Sequence, residues 1–263
     1  MSNAHRLILL ILVASQAAPQ SLTFEVASIK PTDPSNQHRE YFVTPGGGFS
    51  GRGLTLKILI ARTYNLLDSQ ILGGADWINS ERYDIQAKAL RNAGDESVPN
   101  DLSKLTPEQA KILQDQFLER ARALLADRFQ LKFHREAKDL PVYKLVVAKG
   151  GPKIRQGTDT PRVQLRRNQI DAKAQPLASL VGILTQRLGR PVLDETGLKG
   201  NYDFNLQWAP DPSPTPPNSV AAPDPGGPSI FTAIEEQLGL KLESKRGPVE
   251  IFIIDHAERP SEN

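Results

Sequence analysis

No cysteine occurs in the sequence, so no disulfide braces the fold and nothing in it demands a particular redox compartment. An excess of either charge is missing too: 32 Lys and Arg stand against 30 Asp and Glu, a formal +2. Neutralising phosphates takes a clustered basic face, and this balance argues against a nucleic-acid binder. The densest basic group, Arg162, Arg166, Arg167 and Lys173, has no aromatic residues between its members for base stacking. It reads as a solvated loop or an exposed strand. Long hydrophobic runs are absent as well. The apolar stretch over residues 7–14 is too short to cross a bilayer as a helix.

That stretch follows His5 and Arg6 and precedes the small residues Ser15, Ala17 and Ala18, which is the form of a secretory signal peptide rather than of a buried first strand. Residues 1–20 are therefore expected to be removed, and the mature protein to be secreted or periplasmic with no membrane span. Hydrophobic residues at 39% and charged residues at 24% of a 263-residue chain are ordinary globular values. A chain of this length buries an adequate core without staples.

What is present is organised around residues 175–208. Leu177, Leu180, Val181, Leu184 and Leu188 fall on one helix face, Gly189 stands where a left-handed cap is wanted, and Pro191 cannot continue the helix. Val192 and Leu193 open an extended run, and Tyr202, Phe204, Leu206 and Trp208 then alternate with polar residues as a half-buried strand does. The unit is helix, strand, strand. An earlier copy is expected over residues 54–90, where Leu56, Leu59, Ile60, Tyr64 and Leu67 make the helix face and Tyr83-Asp84-Ile85 echoes Tyr202-Asp203-Phe204. Ahead of it, Phe24 to Ile29 alternate as a strand.

Thr106 and Gln109 form a capping box with Pro107 at the first helical position, opening the longest helix. Phe129, Leu131 and Phe133 then suggest one strand, and Tyr143, Leu145 and Val147 another. Residues 209–228 hold eight of the 21 prolines and read as a linker. After it come a helix capped by Ser229 and closed by Gly239, and strands at residues 240–242 and 249–254. A fifty-residue offset of its Leu-Gly stop from Leu188-Gly189 suggests one further copy of the unit. The expected fold is α+β: repeated helix-strand-strand units in mixed or antiparallel sheets with helices on one face. Two subdomains are expected, 21–157 and 158–263, the second interrupted by the linker 209–228.

Chemistry-bearing patterns are few. Gly46, Gly48 and Gly51 satisfy Gly-x-Gly-x-x-Gly, but Pro45 precedes them and no βαβ unit surrounds them, so a turn or bulge is expected. Ser50 lacks a nucleophile elbow, since Arg52 stands in place of its second glycine. Asp84 and Asp203 read as solvated strand residues with nothing to bring them together. His134 and Glu136, two apart on a strand, share one face as two metal ligands without an identifiable third. Asp255 and His256, being adjacent, point to opposite faces and read as a surface pair rather than a dyad. No catalytic, cofactor-binding or metal-ligating residue is expected.

The segments FEVASIKP, GGADWINSERYDIQAKA, LLADRFQLKFHREAKDLPVYKLVVAKGGPK, GRPVLDETGLKGNYDF and IFTAIEEQLGLKLESKRGPVEIFIIDHAERPSEN resemble an uncharacterised secreted family, a domain of unknown function expanded in soil acidobacteria. The likeness covers nearly the whole mature chain. Some relatives are fused behind antirepressor-type membrane metallopeptidases, so the resemblance implies an extracytoplasmic sensing or interaction role. This chain has no His-Glu-x-x-His motif, and the family assigns no catalytic residues to carry over. At the level of fold the units are also similar to the N-terminal modules of secretins and TonB-dependent receptors. The expectation is a non-enzymatic binding module that captures an envelope protein or peptide on a sheet edge. The alternative is a cryptic extracytoplasmic hydrolase using His134/Glu136 or Asp255/His256.

Overall fold

A computed structural model of the chain describes residues 22–44, 46–89, 105–210 and 227–260. The expected signal peptide and most of the proline-rich stretch lie outside the described residues. The first half of the chain runs β1 (Phe24–Pro31), β2 (Glu40–Thr44), β3 (Gly48–Thr55), α1 (Leu56–Tyr64), β4 (Ile71–Gly73), α2 (Trp77–Ser80), β5 (Arg82–Ala89), α3 (Pro107–Arg128) and β6 (Lys132–Val147). The second runs β7 (Arg155–Gln156), β8 (Arg162–Arg166), β9 (Gln169–Pro176), α4 (Leu177–Leu188), β10 (Val192–Asp194), β11 (Asn201–Gln207), α5 (Ile230–Ala233) with a π-helical turn (Ile234–Leu238), and β12 (Leu240–His256).

The two halves repeat one strand order. Sheet β1-β5-β3-β2 in the first matches sheet β7-β11-β9-β8 in the second, and each is antiparallel throughout. The third sheet, β10-β6-β12-β4, draws on both. In it β6 and β12 pair antiparallel along almost their whole length, from Leu240 opposite Val147 to His256 opposite Lys132. Strand β10 adds parallel to β6 and β4 adds parallel to β12. Each half thus lends its last strand to the other, and the chain is an internal duplication with exchanged arms. The class is α+β with mixed and antiparallel sheets.

Local chemistry starts and stops the helices. The Thr106 side chain accepts from Gln109 N and Gln109 Oε1 accepts from Thr106 N, closing the capping box of α3. Ser229 caps α5 by accepting from Thr232 N. Gly189 and Gly239 end their helices at φ 60° and 64°, the left-handed region that glycine enters without a Cβ penalty. Gln130, at the turn from α3 into β6, takes the same conformation at φ 49° and is the counterpart of Gly239.

The repeat differs from the expectation in one respect. Residues 54–90 and 175–208 are copies, but the tail is not a third. Residues 129–147 and 240–254 each form one long strand rather than two, and helix plus long strand in the tail repeats α3–β6. Pro141 and Pro248, which read as interruptions, sit opposite Arg246 and Asp139 in the middle of the ribbon. There β10 and β4 do not reach, so the ribbon is only two strands wide and a missing N–H on its free edge breaks no ladder bond.

Apolar residues gather into two main cores. Ile29, Ile60, Ile85, Phe117 and Phe129 lie in the first together with Phe252 and Ile254 from β12, and Phe252 stacks on Phe133 at 3.8 Å. Ile170, Leu180, Leu184, Phe204 and Leu238 lie in the second together with Leu145 from β6 and Leu240 from β12. Val142, Val249 and Ile251 fill the ribbon between them. Strand β12, placed by sequence in subdomain 158–263, therefore divides its side chains between both cores.

Asp84 and Asp203 are half-buried clamps rather than solvated strand residues. Each sits opposite a bulge whose extra residue has positive φ, Gly53 at 62° and Ala174 at 46°. Asp84 Oδ1 accepts from Gly53 N at 2.9 Å and from Thr32 Oγ1 at 2.6 Å. Asp203 Oδ1 accepts from Ala174 N at 2.8 Å and Oδ2 from Lys173 Nζ at 2.9 Å. The bulge frees an N–H from the ladder, and the carboxylate takes it. Lys173 and that N–H hold the Asp203 carboxyl below its usual range.

Candidate functional site

His134 lies near the start of β6, and the pairing of the long ribbon decides its neighbours. Its ring is flanked by two carboxylates: Nδ1 to Asp255 Oδ1 at 2.7 Å and Nε2 to Glu136 Oε1 at 3.2 Å. The expected sharing of a face by His134 and Glu136 is seen. Asp255 does not orient His256, because the register slips between Ile254 and His256 and the bulge aims Asp255 at His134. His256 Nε2 instead meets Glu258 at 2.9 Å.

Hydrogen bonds to Asp255 first, then to Glu136, raise the His134 pKa above its ordinary value, while His134 holds Glu136 below its own. In its protonated form the ring donates from both nitrogens and keeps no lone pair to accept a proton or bind a metal; in its neutral form one nitrogen keeps a lone pair. His134, Glu136 and Asp255 are each about half exposed, and among the described residues no hydroxyl bonds the ring. Among the described residues no group of three or more His, Cys, Asp or Glu side chains is placed to hold a metal ion.

The glycine run chosen by the dinucleotide expression forms the β2–β3 turn and the start of β3, with Gly47 N donating to Thr44 O. Ser50 is buried on β3 and accepts from Gln86 Nε2 at 2.7 Å. Neither lies in a βαβ unit. A cleft of about 1010 Å³ opens between β2, α1, α3 and the end of α4, lined by Leu54, Ile58 and Phe117 together with Arg39, Arg62 and Gln186. Burial pushes the Tyr41 phenol on its wall up to about 12, against the opposing pull of Arg62, whose guanidinium lies 5.6 Å from the ring. Its charges are of both signs, with Glu40 and Asp68 beside the arginines.

Of the two readings of the basic stretch, a solvated loop or an exposed strand, the structure shows the strand, β8. Both faces of this strand are exposed along all five residues, and it forms one edge of its sheet. Val163 and Leu165 pair with Ala172 and Ile170, so their side chains lie on the sheet face that elsewhere is core. Ala172 and Ile170 are 1% and 0% exposed, yet Val163 and Leu165 are 41% and 50% exposed. The duplicate strand β2 differs on this face. In the first half α3 is 22 residues long, and its Phe117 covers Tyr41 and Phe49 at ring distances of 6.2 and 5.8 Å. In the second half the corresponding helix among the described residues runs from Ile230 to Leu238.

On the other face of β8 stand Arg162, Gln164 and Arg166, opposite Lys173, Asp171 and Gln169. The sequence left this segment between a solvated loop and an exposed strand. Its signal was the alternation Arg162-Val163-Gln164-Leu165-Arg166 ahead of the two-residue turn Arg167-Asn168.

Among the described residues no helix is long and apolar enough to cross a membrane. No curated protein and no solved structure matches the chain. Residues 57–257, from the second residue of α1 to just past β12 and so through both halves of the duplication, match the family described as protein of unknown function DUF3738, and the chain belongs to that family.

Proposed function

We propose that the protein is a non-enzymatic binding module of the cell envelope that takes up an extended segment of a peptide or protein partner as an added strand on β8. The observation that carries this reading is the edge itself: five exposed residues with two uncovered apolar side chains, where the duplicate edge β2 is covered by α3. An added strand gains main-chain hydrogen bonds from the edge and apolar contact from Val163 and Leu165. Natural edges are usually blunted by charge, bulges or a covering helix, and the apolar side of β8 is not. The extracytoplasmic setting rests on the sequence of residues 1–20 and on the resemblance to a secreted family.

A display library of random nonapeptides selected on the mature chain tests this. Selected peptides should bind the wild type and lose binding to Val163→Lys/Leu165→Lys, whose melting temperature should stay within about 2 °C of the wild type, since both side chains are exposed. Peptides that bind both proteins equally would overturn the assignment. The alternative, a hydrolase centred on His134, draws on the 2.7 Å His134–Asp255 contact. Loss of a measured hydrolytic activity in His134→Ala with folding intact would move the function there.

A further inference from the structure

We infer that β8 selects an acidic strand, with carboxylates two residues to either side of its centre and apolar residues between, and selects against a second copy of this chain. The inference rests on the edge-binding reading above and adds the chemistry of the partner.

Arg162 and Arg166 stand on one face of β8, four residues apart and therefore flanking Gln164. Among the described residues neither forms an ion pair. Lys173, the cross-strand neighbour of Arg162, already has its carboxylate, Asp203, at 2.9 Å. Asp171 accepts from Asn205 on the side away from β8, at 3.1 Å. Arg187 adds a further cation nearby, donating to Arg166 O at 3.0 Å. The exposed edge is thus positive at both ends and apolar on its other face.

Self-pairing fails on the same pattern. The register in which two antiparallel copies of β8 match all five residues pairs Gln164 with itself, Val163 with Leu165, and Arg162 with Arg166 of the other copy, twice. Directly opposed like charges destabilise a cross-strand pair, so the edge repels its own copy through its arginines while its apolar side chains would match. A foreign strand reading acidic, apolar, any residue, apolar, acidic reverses both arginine terms and keeps both apolar ones. The arginines therefore act as a partner filter as well as a guard against edge-to-edge aggregation.

The probes are two capped heptapeptides, Thr-Glu-Val-Thr-Val-Glu-Thr and Thr-Lys-Val-Thr-Val-Lys-Thr, titrated into the isotopically labelled full chain at low salt. Binding is followed by amide shifts in β8 and β9. The glutamate peptide should bind at least about tenfold tighter than the lysine peptide, from two opposed-charge pairs replacing two like-charge pairs. The preference should shrink as salt is raised to about 0.5 M. Arg162→Glu/Arg166→Glu should reverse it. Equal binding of both peptides at β8 would leave the edge-binding reading standing and overturn the charge selection. Absence of binding at β8 by either peptide and by library-selected peptides would overturn both. Concentration-dependent shifts confined to β8 in the chain alone would show self-association, which also overturns the selection.

Discussion

Truncating Phe252 to alanine separates a fold with shared arms from two lobes on a string. Phe252 belongs to the second half of the duplication but is 1% exposed inside the first core, with Phe133 at 3.8 Å and Tyr64 at 4.9 Å. Removing a buried phenyl ring costs about 4 kcal/mol in lost transfer energy and cavity. At roughly 2–4 °C per kcal/mol for a chain of this size, the melting temperature should fall by about 10 °C. The question is which part of the molecule melts. The same strand carries Leu240 at 0% exposure in the second core, and β6 makes the reverse crossing. Loosening one end of the ribbon strips pairing from the other, so both cores should go together.

The two tryptophans report on them separately: Trp77 is buried in the first core and Trp208 packs against the second. Fluorescence melts of Phe252→Ala in Trp208→Phe and Trp77→Phe backgrounds should show the same fall at both probes. A Trp208 signal that stays with its parent while the Trp77 signal drops would refute the shared-arm reasoning.

Stopping the chain after Trp208 removes α5 and β12 and with them Ile234, Leu238, Ile251 and Phe252, all at or below 1% exposure; at about 2 kcal/mol each this rivals the net stability of a domain, and gel filtration should show aggregated or partly unfolded protein. Exchanging the left-handed residues should be asymmetric. Gln130→Gly is expected to raise stability by about 1 kcal/mol by relieving φ 49°. Gly239→Gln should lower it sharply, because a Cβ there collides with the Gly151 carbonyl and meets Lys153 N at 2.8 Å, a comparison that urea unfolding resolves. His134 should titrate in NMR above the ordinary 6.5, and Asp255→Asn should bring it down. A raised folded-state pKa makes the histidine's contribution complete below the unfolded value and lost as pH rises through the folded one, so any advantage over His134→Ala should fade from acid toward alkaline pH.

Helix ends were legible in the sequence because capping is local. Thr106 with Gln109, Ser229, Gly189 and Gly239 act within three or four residues of themselves. Strands β5 and β11 were legible because one face of each is buried and the period of two survives. The middle of β6 kept no such period. Residues 134–139 are exposed on both faces apart from the half-buried Lys138, and a proline in each arm imitates a turn. Reading the duplication needed the lengths of its helices, and these diverge, 22 residues against a short α5 and one π-helical turn. Asp255 reaches His134 across 121 positions through a bulge, a placement set by register and not by any nearby residue. The segment of β8 stayed open between an exposed strand and a solvated loop because its apolar side chains are not buried.

The exchanged arms bear on how such an edge can persist. In a lobe with its own closed core, shortening the helix that covers a sheet removes stability from that lobe alone. Here the second core is also held by β6, whose Leu145 is fully buried in it, and by the start of β12, itself paired along the ribbon into the first core. Stability is thereby drawn from both halves, while Val163 and Leu165 on the edge strand β8 stay exposed. The covered duplicate supplies the control. With Phe117 over Tyr41 and Phe49, β2 shows this sheet face under a helix, and β8 shows the same face exposed. A binding edge that contributes little to either core can then change its side chains, and hence its partner, without moving the fold that presents it.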